Sequence, residues 1–265
     1  MTTAKTEKKM KIEEYDENFS EISPIVTSGI DKESDHLITV LNNGYVKLVD
    51  HMGTDVSVVN AARASFAKEN TTKELTVADA RLINFLAREN HMSPFRHAFI
   101  TFEFKAPLMV ARQHWKYVVG SDHTMDSWNE SSRRYITMDP DFYVPGVEDW
   151  RMAPEDKKQG SGGSVGPWIG SVLTNELNRY IEQGEALYNM AMENGVAPEQ
   201  ARLFLPAYAM NVVYRWSASL QSIALFLNQR LAEESQKEIQ QYADAVYKLV
   251  QPLYPVSISC LVGRN

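Results

Sequence analysis

The sequence predicts a single α+β domain, with strands and short helices mixed in its N-terminal half and helices filling its C-terminal half. Three observations lead there. The chain has 265 residues, 44% of them apolar, enough for one sizeable core and too few for several. Period-two alternation occurs only before Pro107, whereas a helical period prevails from Val172 onward. Residues 1–35 are rich in Lys, Glu, Asp and Ser without any period and read as a flexible or peripheral arm, which leaves 36–265 as the folded domain.

In chain order, Leu37 to Leu41 and Tyr45 to Val49 read as two strands around Asn42-Asn43-Gly44, residue types that tolerate positive φ. Asp55 is the expected cap of a helix running to Phe66. Thr76 and Asp79 form a capping-box pattern ahead of Leu82, Ile83, Phe85 and Leu86. His97 to Ala106 alternates, with Ile100, Phe102 and Phe104 on one side, and Pro107 should end that strand. Leu108 to Tyr117 predicts a buried helix with polar groups on one side, and Trp115 is expected in the core with Phe99, Phe102 and Phe104. Gly120 to Asp126 reads as a loop, and the glycine-rich Met152 to Gly170 as a mobile connection. Leu173, Leu177, Tyr180, Ile181, Leu187, Met190 and Ala191 make one helical stripe stopped by Gly195. Further helices are predicted from Pro198, from Met210 to Leu231, and around Ile239, Tyr242, Val246, Tyr247 and Val250.

Composition excludes several function classes. A formal charge of −7 argues against a broad cationic face for duplex nucleic acid, so no stable nucleic-acid partner is expected. No apolar run has membrane-spanning length, and the charged N-terminus lacks an export signal, so a cytoplasmic location is expected with no membrane partner. The single cysteine, Cys260, allows no internal disulfide or CxxC pair. Six histidines without metal-ligand spacing predict no metal site. Gly160 to Gly166 lacks the lysine and hydroxyl of a phosphate loop and reads as a tether.

Arginines among apolar neighbours are more informative: Arg112, Arg202 and Arg230 each need a carboxylate, carbonyls or an anionic ligand, because an unpaired buried guanidinium costs several kcal/mol. Internal pairing with the 34 acidic residues is the plainer alternative for any one of them. Ser127 to Tyr135, SWNESSRRY, packs donors and acceptors densely enough to grip a phosphate and a hydrogen-bonding ring; the alternative is a solvated loop.

The ordered series Gly44 to Asp50, Ala61 to Phe66, His91 to His97, Lys105-Ala106-Pro107, Ala111-Arg112-Gln113, Asn129 to Tyr135, Phe142 to Pro145, Pro198 to Arg202, Asn228-Gln229-Arg230 and Glu238 to Ala243 resembles the flavin-dependent thymidylate synthases nearly from end to end. The resemblance implies that family's fold and a methyltransferase that converts dUMP to dTMP. It implies FAD as hydride carrier, NADPH as reductant and 5,10-methylenetetrahydrofolate as one-carbon donor, in a homotetramer whose active sites lie at subunit interfaces. By motif position, dUMP would meet Gln113, His114, Trp115, Lys116, Glu130, Ser131, Ser132, Arg133, Arg134, Arg202 and Arg230. FAD would meet Ser65, His91, Ser93, Lys116 and Glu130. Arg230 holds the position of a catalytic arginine beside the uracil, where it favours the N3-deprotonated ring.

The chain departs from the family pattern at Lys116-Tyr117-Val118, where Arg-His-Arg is usual, and carries extra residues before Ser127; His123 is a candidate substitute for the imidazole. Ser219-Leu220-Gln221 and Glu234 also stand where relatives use other flavin-contacting residues. One physical argument agrees with the resemblance. The other thymidylate synthase class adds a cysteine thiolate to uracil, and Cys260 sits in an apolar stretch where an inert thiol is expected. Two other readings stay open at this level: a dUMP hydroxymethylase using the same FAD and folate, and a catalytically silent nucleotide- or RNA-binding homologue.

Overall fold

The computed structural model describes residues 36–66, 70–72, 74–119, 126–131, 141–155 and 160–263. The expected N-terminal arm, the 120–125 loop with His123, and Ser132, Arg133 and Arg134 lie outside the described residues. Five antiparallel strands form one sheet in the order β1-β2-β3-β5-β4, built from β1 (Leu37–Val40), β2 (Gly44–Met52), β3 (Phe99–Pro107), β4 (Ser127–Glu130) and β5 (Asn211–Ser219). The alternation read in β3 holds: Ile100, Phe102 and Phe104 are buried, and they meet Tyr214 and Trp216 of β5 in a stack of rings. The opposite face carries Tyr45, Thr101, Glu103, Arg215 and Ser217, which bond one another across the strands. Helices α3 (Leu108–Val119), α6 (Leu220–Arg230) and α7 (Lys237–Val250) join the aromatic core. Helices α1 (Asp55–Arg63), α2 (Val77–Arg88) and α8 (Pro255–Leu261) pack together beside them. Two further helices, α4 (Pro167–Glu193) and the short α5 (Pro198–Ala201), complete the chain.

The capping box at Thr76 and Asp79 forms as predicted. The cap of α1 is instead Thr54, whose hydroxyl accepts from the Val56 amide. The Asp55 carboxylate is buried and accepts from the Val256 and Ser257 amides and the Ser257 hydroxyl, which ties α1 to the start of α8. In the first hairpin the positive φ falls on Leu41, at 56°. Gly44 is required for space: a Cβ there would lie 1.9 Å from the Tyr242 hydroxyl and 2.7 Å from the Lys105 carbonyl.

The helix expected over Met210 to Leu231 is two elements. Asn211–Ser219 is the strand β5, between β3 and β4, and only Leu220–Arg230 is helical. Val212, Val213, Tyr214 and Trp216 are β-branched or aromatic, with Arg215 exposed between two buried rings, so period two prevails over a helical reading. The mobile connection expected over Met152 to Gly170 is corrected where it is described, residues 156–159 lying outside the described residues. Met152 and Gly162–Gly163 exchange backbone hydrogen bonds, Arg151 bridges Ser164, and Pro167 already opens α4. Trp115, expected inside, is 38% exposed.

Helix α4 ends as predicted, with Gly195 at φ 79° beyond it. Its apolar stripe is only partly covered: Ile181 and Ala191 are buried, while Leu173, Tyr180 and Met190 are exposed. The helix meets its own chain through small residues, because a Cβ on Gly170 would strike the Val147 carbonyl and one on Gly184 the Phe204 carbonyl.

Candidate active site

The candidate residues are carried by α3, the end of β4, the turn after α5, and the end of α6. β4 pairs with β5 as far as Glu130↔Tyr214, and Ser131 continues the pairing by donating its amide and hydroxyl to the Val213 carbonyl. Trp128 stacks on Tyr214 with centroids 3.9 Å apart, and Trp115 of α3 meets its edge at 5.3 Å. This aromatic layer fixes the strand that presents Glu130. Burial by surrounding groups raises the Glu130 carboxyl above its ordinary range; a hydrogen bond from Trp128 and the charges of Arg112 and Arg202 oppose the rise. Glu130 itself remains exposed. Arg112 and Arg202 are also exposed, and Arg202 is held by donating Nε to the Glu199 carbonyl. The structure therefore gathers Arg112, Glu130, Ser131 and Arg202 around one region from three separate stretches of chain. Two guanidiniums beside a carboxylate suit an anionic, hydrogen-bonding ligand.

Arg230 ends α6 and is half-buried, with its guanidinium carbon 5.3 Å from the centroid of the Tyr117 ring. Its Nε is buried with no hydrogen-bond partner among the described residues. The neighbours of Arg230 are anchored: Asn228 binds the Leu261 carbonyl and the Gly263 amide, and the Gln229 carbonyl accepts from Ser235. Gln113 donates to Gln236, Gln236 donates to Glu238 at 2.8 Å, and Glu238 accepts from Arg151 at 2.7 Å. Burial would raise the Glu238 carboxyl, but the hydrogen bonds from Arg151 and Gln236 hold it below its ordinary range, so Gln113 is oriented by a charged group behind it.

His114 is placed elsewhere than its motif neighbours. Its ring is 1% exposed, enclosed by Phe104, Trp216, Phe226 and Trp128, with Nδ1 3.0 Å from the Tyr214 hydroxyl. Burial, aided by the Arg230 charge, pushes its pKa down to about 3, so the imidazole is neutral and sits in the core behind the site. Lys116 and Trp115 are exposed on α3.

The flavin-side candidates Ser65, His91 and Ser93 are all exposed, around the turn Ser93–His97. Arg96 of that turn donates to Gln221 at the start of α6, 3.1 Å away. Ser219 is fully buried and caps α6, accepting from the Ser222 amide and donating to the Ser222 hydroxyl, whereas Gln221 accepts from Arg96 through its side-chain carbonyl. From Gln221 to Arg230 the helix rises about 14 Å, so the contact of the Ser93–His97 turn and Arg230 lie at opposite ends of α6 within one chain.

Cys260 is half-buried, and burial together with the Asp55 charge pushes its thiol up to about 11, far from a nucleophilic thiolate. No metal-holding cluster of His, Cys, Asp and Glu occurs among the described residues. No described helix is long and apolar enough to cross a membrane.

The family model of the thymidylate synthase complementing proteins, Thy1, matches residues 47–256. The chain belongs to this family. It is similar to the flavin-dependent thymidylate synthase of Thermus thermophilus, 36% identical over 220 residues that cover 83% of this chain and 76% of the relative. The enzyme of the same name from Thermotoga neapolitana is 35% identical over 221 residues, 82% of this chain and 90% of that one. Among solved structures, the UMP/dUMP methylase PolB from Streptomyces cacaoi bound with 5-Br dUMP superposes with a TM-score of 0.71 at 28% identity, covering 86% of this chain and 99% of that one. The same methylase bound with 5-Br UMP gives a TM-score of 0.69 at 26% identity, over 84% and 95% of the two chains.

Arg112, singled out in the sequence as needing an anionic partner but absent from the residues that the resemblance assigns to dUMP, brings its charge to bear on Glu130. The sequence did not disclose the Gln236–Glu238–Arg151 support of Gln113, which joins residues far apart in the chain.

Proposed function

We propose that this protein is a flavin-dependent thymidylate synthase that reductively methylates dUMP to dTMP, with 5,10-methylenetetrahydrofolate as one-carbon donor and NADPH as reductant. Family membership across residues 47–256 carries this reading. The sole thiol, held near 11, argues against the thiolate route to the same product. Arg112 and Arg202, with Ser132, Arg133 and Arg134, would bind the dUMP phosphate, and Gln113, Glu130 and Ser131, whose hydroxyl can still accept, would orient the nucleoside. Arg230 would lie beside the uracil and stabilise its N3-deprotonated form, which makes the ring more electron-rich toward the one-carbon unit. Trp115 and Lys116 would flank the substrate from α3, and His114 would support Arg230 and α3 from beneath.

FAD fits the exposed donors Ser65, His91 and Ser93, which with Lys116 and Glu130 would hold it; when bound it supplies the hydride that uracil chemistry without a thiol requires. The separation of the Ser93–His97 contact from Arg230 along α6 favours an active site shared between chains, consistent with a homotetramer. The uncovered apolar side chains of α4 supply a surface for that assembly.

The test is the product. Purified protein supplied with FAD, dUMP, methylenetetrahydrofolate and NADPH is expected to be yellow and to yield dTMP, identified by mass. A hydroxymethylated pyrimidine as the only product would replace the methylation reading. Colourless protein that binds dUMP and ignores FAD would replace the enzyme reading with that of a binding homologue.

A further inference from the structure

We propose that Tyr117 is the positioning residue for Arg230, aiming the guanidinium through its aromatic face, and fixing the end of α6 through its hydroxyl on Gln229, without neutralising the charge. This inference rests on the reading of Arg230 as the residue beside the pyrimidine.

Tyr117 lies in the last turn of α3 and is 6% exposed. It meets three residues of α6 spaced i, i+3 and i+4, hence on one helix face. Its ring edge packs on Phe226 with centroids 5.2 Å apart, its hydroxyl donates to Gln229 Oε1 at 2.8 Å, and its face lies under the Arg230 guanidinium at 5.3 Å. The phenol oxygen is committed to Gln229, so it is the ring face that meets the guanidinium. One side chain thus locks both the rotation of the end of α6 and the direction of its last cation.

The kind of partner matters. No carboxylate among the described residues is ion-paired with Arg230, and its Nε has no partner there. A carboxylate would hold the guanidinium but offset the field needed to favour an anionic ring. The quadrupole of an aromatic ring holds a cation and leaves its full charge in place. His114, the other titratable group close behind, is neutral and adds no competing charge. Tyr117 also stands at the middle position of the Lys116-Tyr117-Val118 departure, so this chain has a phenol and an apolar side chain where the resemblance places an imidazole and a second guanidinium.

The experiment uses the FAD-loaded protein and measures turnover and KM for dUMP separately from flavin reduction by NADPH. Tyr117→Leu is expected to lower kcat about 30-fold with flavin content and flavin reduction preserved, and Tyr117→Phe, which keeps the ring face, to recover kcat to within about 5-fold of the unaltered protein. Combining Tyr117→Leu with Arg230→Ala should cost no more than Arg230→Ala alone. Normal kcat in Tyr117→Leu, or losses that multiply in the double variant, would overturn the inference. Should Tyr117→Leu fail to fold, the same cycle with Tyr117→Phe decides, since multiplying losses there also overturn it. Near-normal turnover in Arg230→Ala would instead overturn the underlying role of Arg230.

Discussion

An imidazole enclosed by aromatic rings is a titration device whether or not it ever meets a ligand. His114 was assigned to the substrate by its place between Gln113 and Trp115, but the helical turn directs its ring inward against Phe226 and Trp216. With its folded pKa down to about 3 and its ordinary value 6.5, the unfolded chain takes up the proton first as pH falls. The stability that His114 contributes is therefore present above pH 6.5 and is lost as pH drops toward 3. Between pH 7 and pH 5 this amounts to about 2 kcal/mol, at about 1.4 kcal/mol per unit below the ordinary value. Urea unfolding at the two pH values is expected to show that difference in the unaltered protein and a much smaller one in His114→Phe. An equal pH slope in both would remove His114 as its source. Residue identity was legible in the sequence; the direction of the ring was not, because a motif does not say which face of its helix is covered.

Elements were most legible where the signal is local. The hairpin, the capping box and the alternation of β3 depend on neighbours within a few residues, and all three formed. Gly44 shows the limit of such reading. It belongs to the turn, but what demands glycine is Tyr242, from a helix nearly two hundred residues away, whose hydroxyl donates to the Lys105 carbonyl at 2.7 Å. Gly44→Ala forces that hydroxyl off its acceptor and is expected to cost about 3 kcal/mol, overpacking and a lost buried hydrogen bond together. Denaturant midpoints measure it, and Tyr242→Phe in the same background should recover part of the loss by removing the clashing atom. β5 lies between these cases: its apolar run merges with that of α6, its β-branched and aromatic residues favour a strand, and pairing with β3 from Phe99↔Ser219 to Pro107↔Asn211 fixes where the strand ends and the helix begins.

At the scale of the whole molecule, α4 leaves an apolar surface that the described residues of one chain do not cover. Ile169, Val172, Leu173 and Tyr180 recur at helical spacing and are each at least 36% exposed, on a helix that touches its own chain through glycines. A shared active site would draw its oligomeric contacts from such a surface. Light scattering is expected to find a tetramer, and Val172→Asp with Leu173→Asp to yield smaller species that have lost most turnover while the thermal midpoint of the subunit stays nearly unchanged. A monomeric unaltered protein with full activity would defeat this assembly.

The family, the α+β class, the types of residue available to grip an anion and the single thiol all follow from the order of amino acids, because each is a matter of which side chains occur and in what local order. The tertiary structure decided which of them meet. It set Arg112 and Arg202 beside Glu130, laid Arg230 over Tyr117, and turned His114 into the core. Those outcomes depend on strand pairing and helix packing between segments as far apart as residues 117 and 230, and the energies that settle them come from burial and geometry that no local pattern encodes.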